Sequence, residues 1–181
     1  MKKESGNNAS IISYDGINPT IPKSAFLCEG VRIIGDVELG ENVSVWYNSV
    51  IRGDVHYIRI GNNTNVQDLA MLHVTNDKYP LNIGNNVTVA HSVVLHGCTI
   101  KDKCLIGIGA KVLDNATVSS FSLIGAGSVV REGWTVPEGT LVAGVPAKVI
   151  RDLTTKEIEK VSNNALNYLK YVKEYRKQYN Q

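Results

Sequence analysis

The histidines are where the chemistry of this chain would sit. There are 4 of them, His56, His73, His91 and His96. A neutral imidazole is the commonest metal-binding side chain, and its charge changes near neutral pH. A lone histidine is usually just a polar surface residue, and that is the reading for His56. His73, His91 and His96 differ because they fall in step with a repeat, and the repeat fixes where each one points.

The repeat has a period of six. Aliphatic residues recur as Leu39, Val45, Ile51, then Ile60, Val66, Leu72, then Ile83, Val89, Leu95, then Ile100, Ile106, Val112, Val118, Ile124 and Val130. Small or β-branched residues follow four places after the later anchors, at Val87, Val93, Thr99, Cys104, Ala110, Ala116, Ser122 and Ser128. This period matches neither an amphipathic helix nor an alternating strand. It matches short strands separated by corners. Three hexads make one triangular coil, and coils stack as parallel strands at roughly 4.8 Å. Stacking buries a core that no single repeat could bury. The expected architecture is therefore mainly β, a parallel β-helix over about residues 11–150. A helix follows over about residues 154–179, and the whole is expected to form one domain. Thr154 and Glu157 read as a capping box. Ile158, Val161, Ala165, Tyr168, Val172 and Tyr175 form an apolar stripe, with Lys160, Lys170 and Lys173 on a solvated face.

Composition narrows the function. The formal net charge is +2, from 19 basic and 17 acidic residues, which gives no reason to expect a nucleic-acid or membrane partner. No apolar run follows the N-terminal lysines, and no stretch would span a membrane, so a cytoplasmic location is expected. Cys28, Cys98 and Cys104 lack any CxxC spacing, which fits a reducing compartment. Cys104 is expected to pack inward and Cys98 to be structural.

Counting along the hexads places the histidines. Let the three faces be A, B and C, with Ile60, Val66 and Leu72 opening one coil in that order. His73 and His96 each follow a face C anchor, Leu72 and Leu95, so they share a column on adjacent rungs. The extra residues between Leu72 and Ile83, around Asn76–Pro80, read as a loop extruded at a corner. His91 lies on face B, two residues past Val89 and around a corner, on the order of 15 Å from His96 along the strand path. It would reach the His73/His96 pair only of a neighbouring prism. A face B to face C contact is heterologous, and three such contacts close into a threefold ring. Three neutral imidazoles with an open fourth position describe a catalytic metal site. Such a metal lowers the pKa of its water to about 7. Zinc, ferrous iron and cobalt all suit three imidazoles.

Charged and amide groups occupy the same columns. Arg52 follows the face C anchor Ile51, with Asp54 two residues on. Gln67 and Asp68 follow the face B anchor Val66, and Asp68 shares the column of His91. Arg52 and a carboxylate would form an ion pair orienting the subunits. Gln67 would hydrogen-bond the metal's hydroxide, and Asp68 would fix a ligand histidine. Arg52, Asp54 and Asp68 would equally serve as structural salt bridges of a trimer.

The hexads and the ending Gly144-Val-Pro-Ala-Lys148 resemble the bacterial hexapeptide-repeat superfamily, which implies a left-handed β-helix. A second set of residues carries a narrower resemblance: Arg52-Gly-Asp54, Asn65-Val-Gln67-Asp68, His73, and the pair His91 and His96 within Val89-Ala-His91-Ser-Val-Val-Leu-His96-Gly-Cys98. These resemble the gamma-class carbonic anhydrases, and most of all their compact bacterial relatives. The resemblance implies a homotrimer with zinc or ferrous iron between subunits, and reversible hydration of CO2 to bicarbonate by metal-bound hydroxide. Arg52, Asp54, Gln67 and Asp68 match residues that line that site. Tyr168 matches a tyrosine of the C-terminal helix that reaches the metal pocket, although its place on the apolar stripe would also suit simple packing. The prototype's acidic-loop glutamates are missing, since Asp54 is followed by Val55-His56-Tyr57. Slow turnover or a different substrate would follow. Two rival functions share this fold class: acyl transfer or thioester hydrolysis on a coenzyme A substrate, and a non-catalytic metal-binding trimeric scaffold.

Overall fold

The computed structural model describes residues 8–179. Residues 1–7, which carry the N-terminal lysines from which no leader was expected, lie outside the described residues. The chain forms a parallel β-solenoid of about seven turns, followed by one helix. Each expected anchor column is a parallel ladder. Face C stacks Ile33, Ile51, Leu72, Leu95, Val112 and Val130. Face B stacks Leu27, Val45, Val66, Val89, Ile106, Ile124 and Val142. Face A stacks Leu39, Ile60, Ile83, Ile100, Val118 and Val136. Every one of these from Ile51 onward is buried. The strands are too short to be stable singly. Each is held by the rungs above and below it, so the core is one continuous column.

Two corners depart from the plain hexad. Strand Val50–Ile60 runs unbroken from face C to face A, pairing with Leu72 at one end and Ile83 at the other. Its register against Arg32–Leu39 shifts between Gly35 and Val37. Gly53 makes that bend possible: a Cβ there would lie 2.6 Å from the Asp36 carbonyl oxygen. The glycine of Arg52-Gly53-Asp54 is thus required by close backbone approach. The extruded loop of the next coil packs on this bend, where the Asp77 amide donates to the Val55 carbonyl at 3.1 Å.

One inward position is corrected. The hexad count points Thr99 into the prism, but Cys98 takes that place and is 1% exposed, while Thr99 is only partly buried. The step from Leu95 to Ile100 has five residues instead of six. Gly97, at φ +51°, turns the corner one residue early.

On face B the last rung is extended by an antiparallel hairpin of Thr140–Gly144 with Ala147–Asp152. This covers an edge that would otherwise be open to pairing. The helix Thr155–Tyr179 then folds back over face B. Its start is the expected capping box: the Thr154 amide donates to Glu157 Oε2 at 2.9 Å, and the Glu157 amide to Thr154 Oγ1 at 3.4 Å. Arg151 grips the same carboxylate through two nitrogens at 2.8 Å. Val161 and Ala165 are buried, and Tyr168, Val172 and Tyr175 pack on the solenoid core. Trp46 of face B receives the edges of Tyr168 and Tyr175, with centroids 5.5 and 5.1 Å away. No described helix is long and apolar enough to cross a membrane.

Candidate metal centre

The parallel pairing of Met71–His73 with Val94–His96 sets His73 directly opposite His96. Both follow a fully buried leucine, so the pleat turns both rings outward. His73 Nδ1 and His96 Nε2 face each other at 3.1 Å. The other nitrogen of each ring meets a carboxylate. His73 Nε2 donates to Asp54 Oδ1 at 3.1 Å, and His96 Nδ1 donates to Asp114 Oδ1 at 2.5 Å.

The state of those carboxylates decides the tautomers. Burial alone would raise the pKa of Asp54, but hydrogen bonds from Arg52 and His73 outweigh it and hold the carboxyl below its ordinary range. Burial likewise opposes ionisation of Asp114, and hydrogen bonds from Thr75 and His96 outweigh it in the same way. Both are therefore ionised at neutral pH and accept only. Each histidine must carry its proton on the nitrogen that faces its aspartate. The protonated form of His73 is disfavoured first by burial, with Arg52 and His96 adding to it, although Asp54 opposes. With both rings neutral, the two facing nitrogens are bare, with lone pairs directed at one another. A cation between them relieves that opposition. Two nitrogens on one tetrahedral metal, each about 2.0–2.1 Å from it, stand about 3.3 Å apart. The 3.1 Å found here fits that requirement closely.

His91 stands elsewhere. It occupies the turn after strand Thr88–Val89, in the separate face B ladder. The chain turns this corner at five successive rungs with a left-handed residue: Asn48, Leu69, Ser92, Gly109 and Gly127 have φ between +57° and +68°. His91 immediately precedes one of them and projects from the corner. Its Nδ1 lies 2.8 Å from Asp68 Oδ2. Among the described residues, no three His, Cys, Asp or Glu side chains of one chain form a group able to hold a metal alone. The donor set is split between a corner next to face C, with His73 and His96, and the face B corner with His91.

The remaining expected site residues divide the same way. Arg52 Nη1 pairs with Asp54 Oδ2, beside His73. Gln67 is 4% exposed on face B, and its amide nitrogen donates to Asn65 Oδ1 at 3.1 Å. Asn65 in turn donates to Thr88 Oγ1 at 3.0 Å, and that hydroxyl donates to Asn164 of the helix at 3.1 Å. Tyr168, one helical turn beyond Asn164, is packed against Trp46. Burial and the nearby charge of Asp68 push its hydroxyl up to about 12. Its ring packs on the solenoid core. His56 is apart from these groups, its Nδ1 accepting from the Tyr57 amide at 2.9 Å. Cys28, Cys98 and Cys104 are all buried free thiols. Asp114 and Thr75 were not expected. Asp114 lies two residues past the face C anchor Val112, one rung beyond His96; the His73/His96 column itself continues to Leu113, so counting along it does not single out Asp114.

No family model matches the chain. Among curated proteins it is 41% identical over 155 residues to gamma carbonic anhydrase 1, mitochondrial, of Arabidopsis thaliana, covering 83% of this chain and 56% of that protein. It is 42% identical over 159 residues to the carbonic anhydrase of Geobacillus kaustophilus, covering 88% of this chain and 87% of that one. Among solved structures, a Bacillus cereus protein labelled an acetyltransferase superposes with a TM-score of 0.92 at 43% identity, covering 95% of this chain and 99% of its own. The chain thus spans little more than half of the plant relative but most of the bacterial ones. On these matches the chain belongs to the gamma carbonic anhydrase family.

Proposed function

We propose that the chain forms a homotrimer in which His73 and His96 of one subunit and His91 of the next hold a divalent metal, and that this centre hydrates CO2 reversibly to bicarbonate. The observation that carries this reading is the pair of facing ring nitrogens of His73 and His96 held 3.1 Å apart, in a chain whose third histidine beside an aspartate stands on a different face. Large apolar residues flank that third histidine in the open: Leu69 is 62% exposed and Ile108 57%. Ile108 is two residues past Ile106, as His91 is two past Val89, so the two are stacked neighbours. Exposed apolar groups beside an outward imidazole suit a contact with another subunit.

When bound, the metal supplies the Lewis acidity that makes water a nucleophile near neutral pH. The chain's own groups do the rest. Asp54 accepts from both Arg52 and His73 and fixes their orientation. Asp68, 2.8 Å from His91 Nδ1, is placed to orient His91. Gln67 is held by Asn65 through a buried chain that ends on the helix, so its amide is ordered before substrate arrives. Tyr168 stays protonated across the working pH range and is available to donate a hydrogen bond to a substrate oxygen. Zinc, ferrous iron and cobalt all match the imidazole donors.

The experiment is a metal analysis of the full-length protein with its mass in solution, together with CO2 hydration measured before and after chelation. Metal at one per subunit, a trimer, and hydration abolished by the chelator are expected. The acetyltransferase label of the Bacillus cereus protein favours a second reading, acyl transfer from coenzyme A with a histidine as general base and no metal. A chelator-insensitive acyl transfer would establish that reading in place of the first. A metal-loaded trimer inactive in both assays would leave a scaffold role.

A further inference from the structure

We propose that Asp114, held by Thr75, is a positioning residue for this centre: it locks His96 in the tautomer and ring orientation that leave Nε2 bare toward His73. The inference rests on the metal reading above. Both oxygens of Asp114 are engaged. Oδ1 lies 2.5 Å from His96 Nδ1, and Oδ2 accepts from Thr75 Oγ1 at 2.6 Å. Thr75 comes from the segment extruded between two coils. A narrow backbone bridge fixes it, its amide donating to the Tyr79 carbonyl at 3.0 Å and the Tyr79 amide returning to the Thr75 carbonyl at 3.3 Å. Gly97 lets the parts meet: a Cβ there would come within 2.6 Å of Asp114 Oδ1 and 2.9 Å of Tyr79 Cβ. The backbone on both sides is pinned, with the Gly97 amide donating to the His73 carbonyl at 3.0 Å and the Asn115 amide to the Gly97 carbonyl at 2.7 Å.

The consequence lies in what His96 would do without this hold. With its proton on Nε2, His96 would donate to His73 Nδ1, since the 3.1 Å separation is an ordinary hydrogen-bond length. The pair would then be satisfied internally, and the cleft would be closed to a cation. Asp114 forbids that state by requiring the proton on Nδ1. The extruded loop therefore does more than take up surplus residues, because it carries the hydroxyl that aims the carboxylate. Outer carboxylates of this kind typically change metal affinity 10–100-fold (about 1.4–2.7 kcal/mol) when removed.

The test uses the full-length protein and two readouts, zinc affinity by chelator competition and the tautomer of His96 by nitrogen NMR of histidine-labelled, metal-free protein. Asp114→Ala is expected to weaken zinc binding about 10–100-fold and to shift His96 toward the Nε2–H form, with the fold and subunit assembly unchanged. Thr75→Val is expected to weaken it less, and Thr75→Ser to restore it. If Asp114→Ala does not fold, the Thr75→Val and Thr75→Ser pair decides, and equal affinities would overturn the inference. Wild-type protein that binds zinc with Asp114→Ala within twofold of it would overturn this inference alone. Wild-type protein that binds no zinc would overturn the metal reading and the inference with it.

Discussion

His91 Nδ1 lies 2.8 Å from Asp68 Oδ2 across two adjacent rungs of face B, an approach of imidazole to carboxylate that recurs between His73 and Asp54 at 3.1 Å. Each of the three histidines has one ring nitrogen beside its own aspartate and the other on the outside of the solenoid. Two face each other and one faces away. The first expectation follows from their outward placement. His73→Ala, His91→Ala and His96→Ala are each expected to lose most bound metal, measured by elemental analysis after gel filtration. Far-ultraviolet circular dichroism should stay as in the wild type, because none of the three rings contributes to the core.

The core behaves oppositely. Leu95 is fully buried between Leu72 and Val112 in the face C ladder. Leu95→Ala removes its methyl groups and leaves a cavity that the flanking rungs cannot fill. A loss of about 2–5 kcal/mol is expected in denaturant unfolding.

The helix cap gives a pH dependence with a defined sign. Hydrogen bonds from Arg151 and then from Thr154 lower the pKa of Glu157 from 4.5 to about 2. A carboxylate depressed in the folded state stabilises fully above its unfolded value and loses that contribution as pH falls through the folded one. The thermal midpoint of the wild type should therefore exceed that of Glu157→Gln at pH 6. The gap should close between about pH 4.5 and pH 2. A gap of constant size down to pH 2 would contradict the cap's contribution.

Hydration is expected to rise with pH through about 7, as water ionises at a metal. Beside His73 the chain carries Asp54 and Asp114, both tied to imidazoles and both held below the ordinary carboxylate range. Neither is free to shuttle protons. The rate should therefore be low in dilute non-coordinating buffer and increase with added imidazole, measured by stopped-flow CO2 hydration. A fast rate independent of buffer would point to an internal relay.

Much of this architecture is legible in the residues alone, and the reason is physical. A six-residue period with one buried anchor per hexad fixes register, because a slip of one residue would turn each anchor outward. That is why the columns joining His73 to His96 and Asp68 to His91 follow from counting. The capping box is legible because Thr154 and Glu157 satisfy each other locally. Departures from the period are not legible. The five-residue step from Leu95 to Ile100 puts Cys98 inward in place of Thr99, and only the turn at Gly97 explains it. Strand Val50–Ile60 crosses a corner because Gly53 lets two backbones approach. Thr75 reaches Asp114 along an extruded path that no periodicity specifies. The chain from Gln67 through Asn65 and Thr88 to Asn164 depends on where the helix docks, which its apolar stripe alone does not say.

The central claim is that one centre is built from two subunits, and mixed assembly tests it most directly. His91→Ala protein and a His73→Ala/His96→Ala protein are prepared separately, each expected to be metal-poor. They are then unfolded, mixed and reassembled with distinct tags, and trimers carrying both tags are isolated. In those trimers some interfaces join an intact His91 to an intact His73/His96 pair. The account predicts that metal and chelator-sensitive CO2 hydration return in the mixed trimers and not in either parent reassembled alone. Mixed trimers of verified composition that remain as metal-poor as their parents would contradict it.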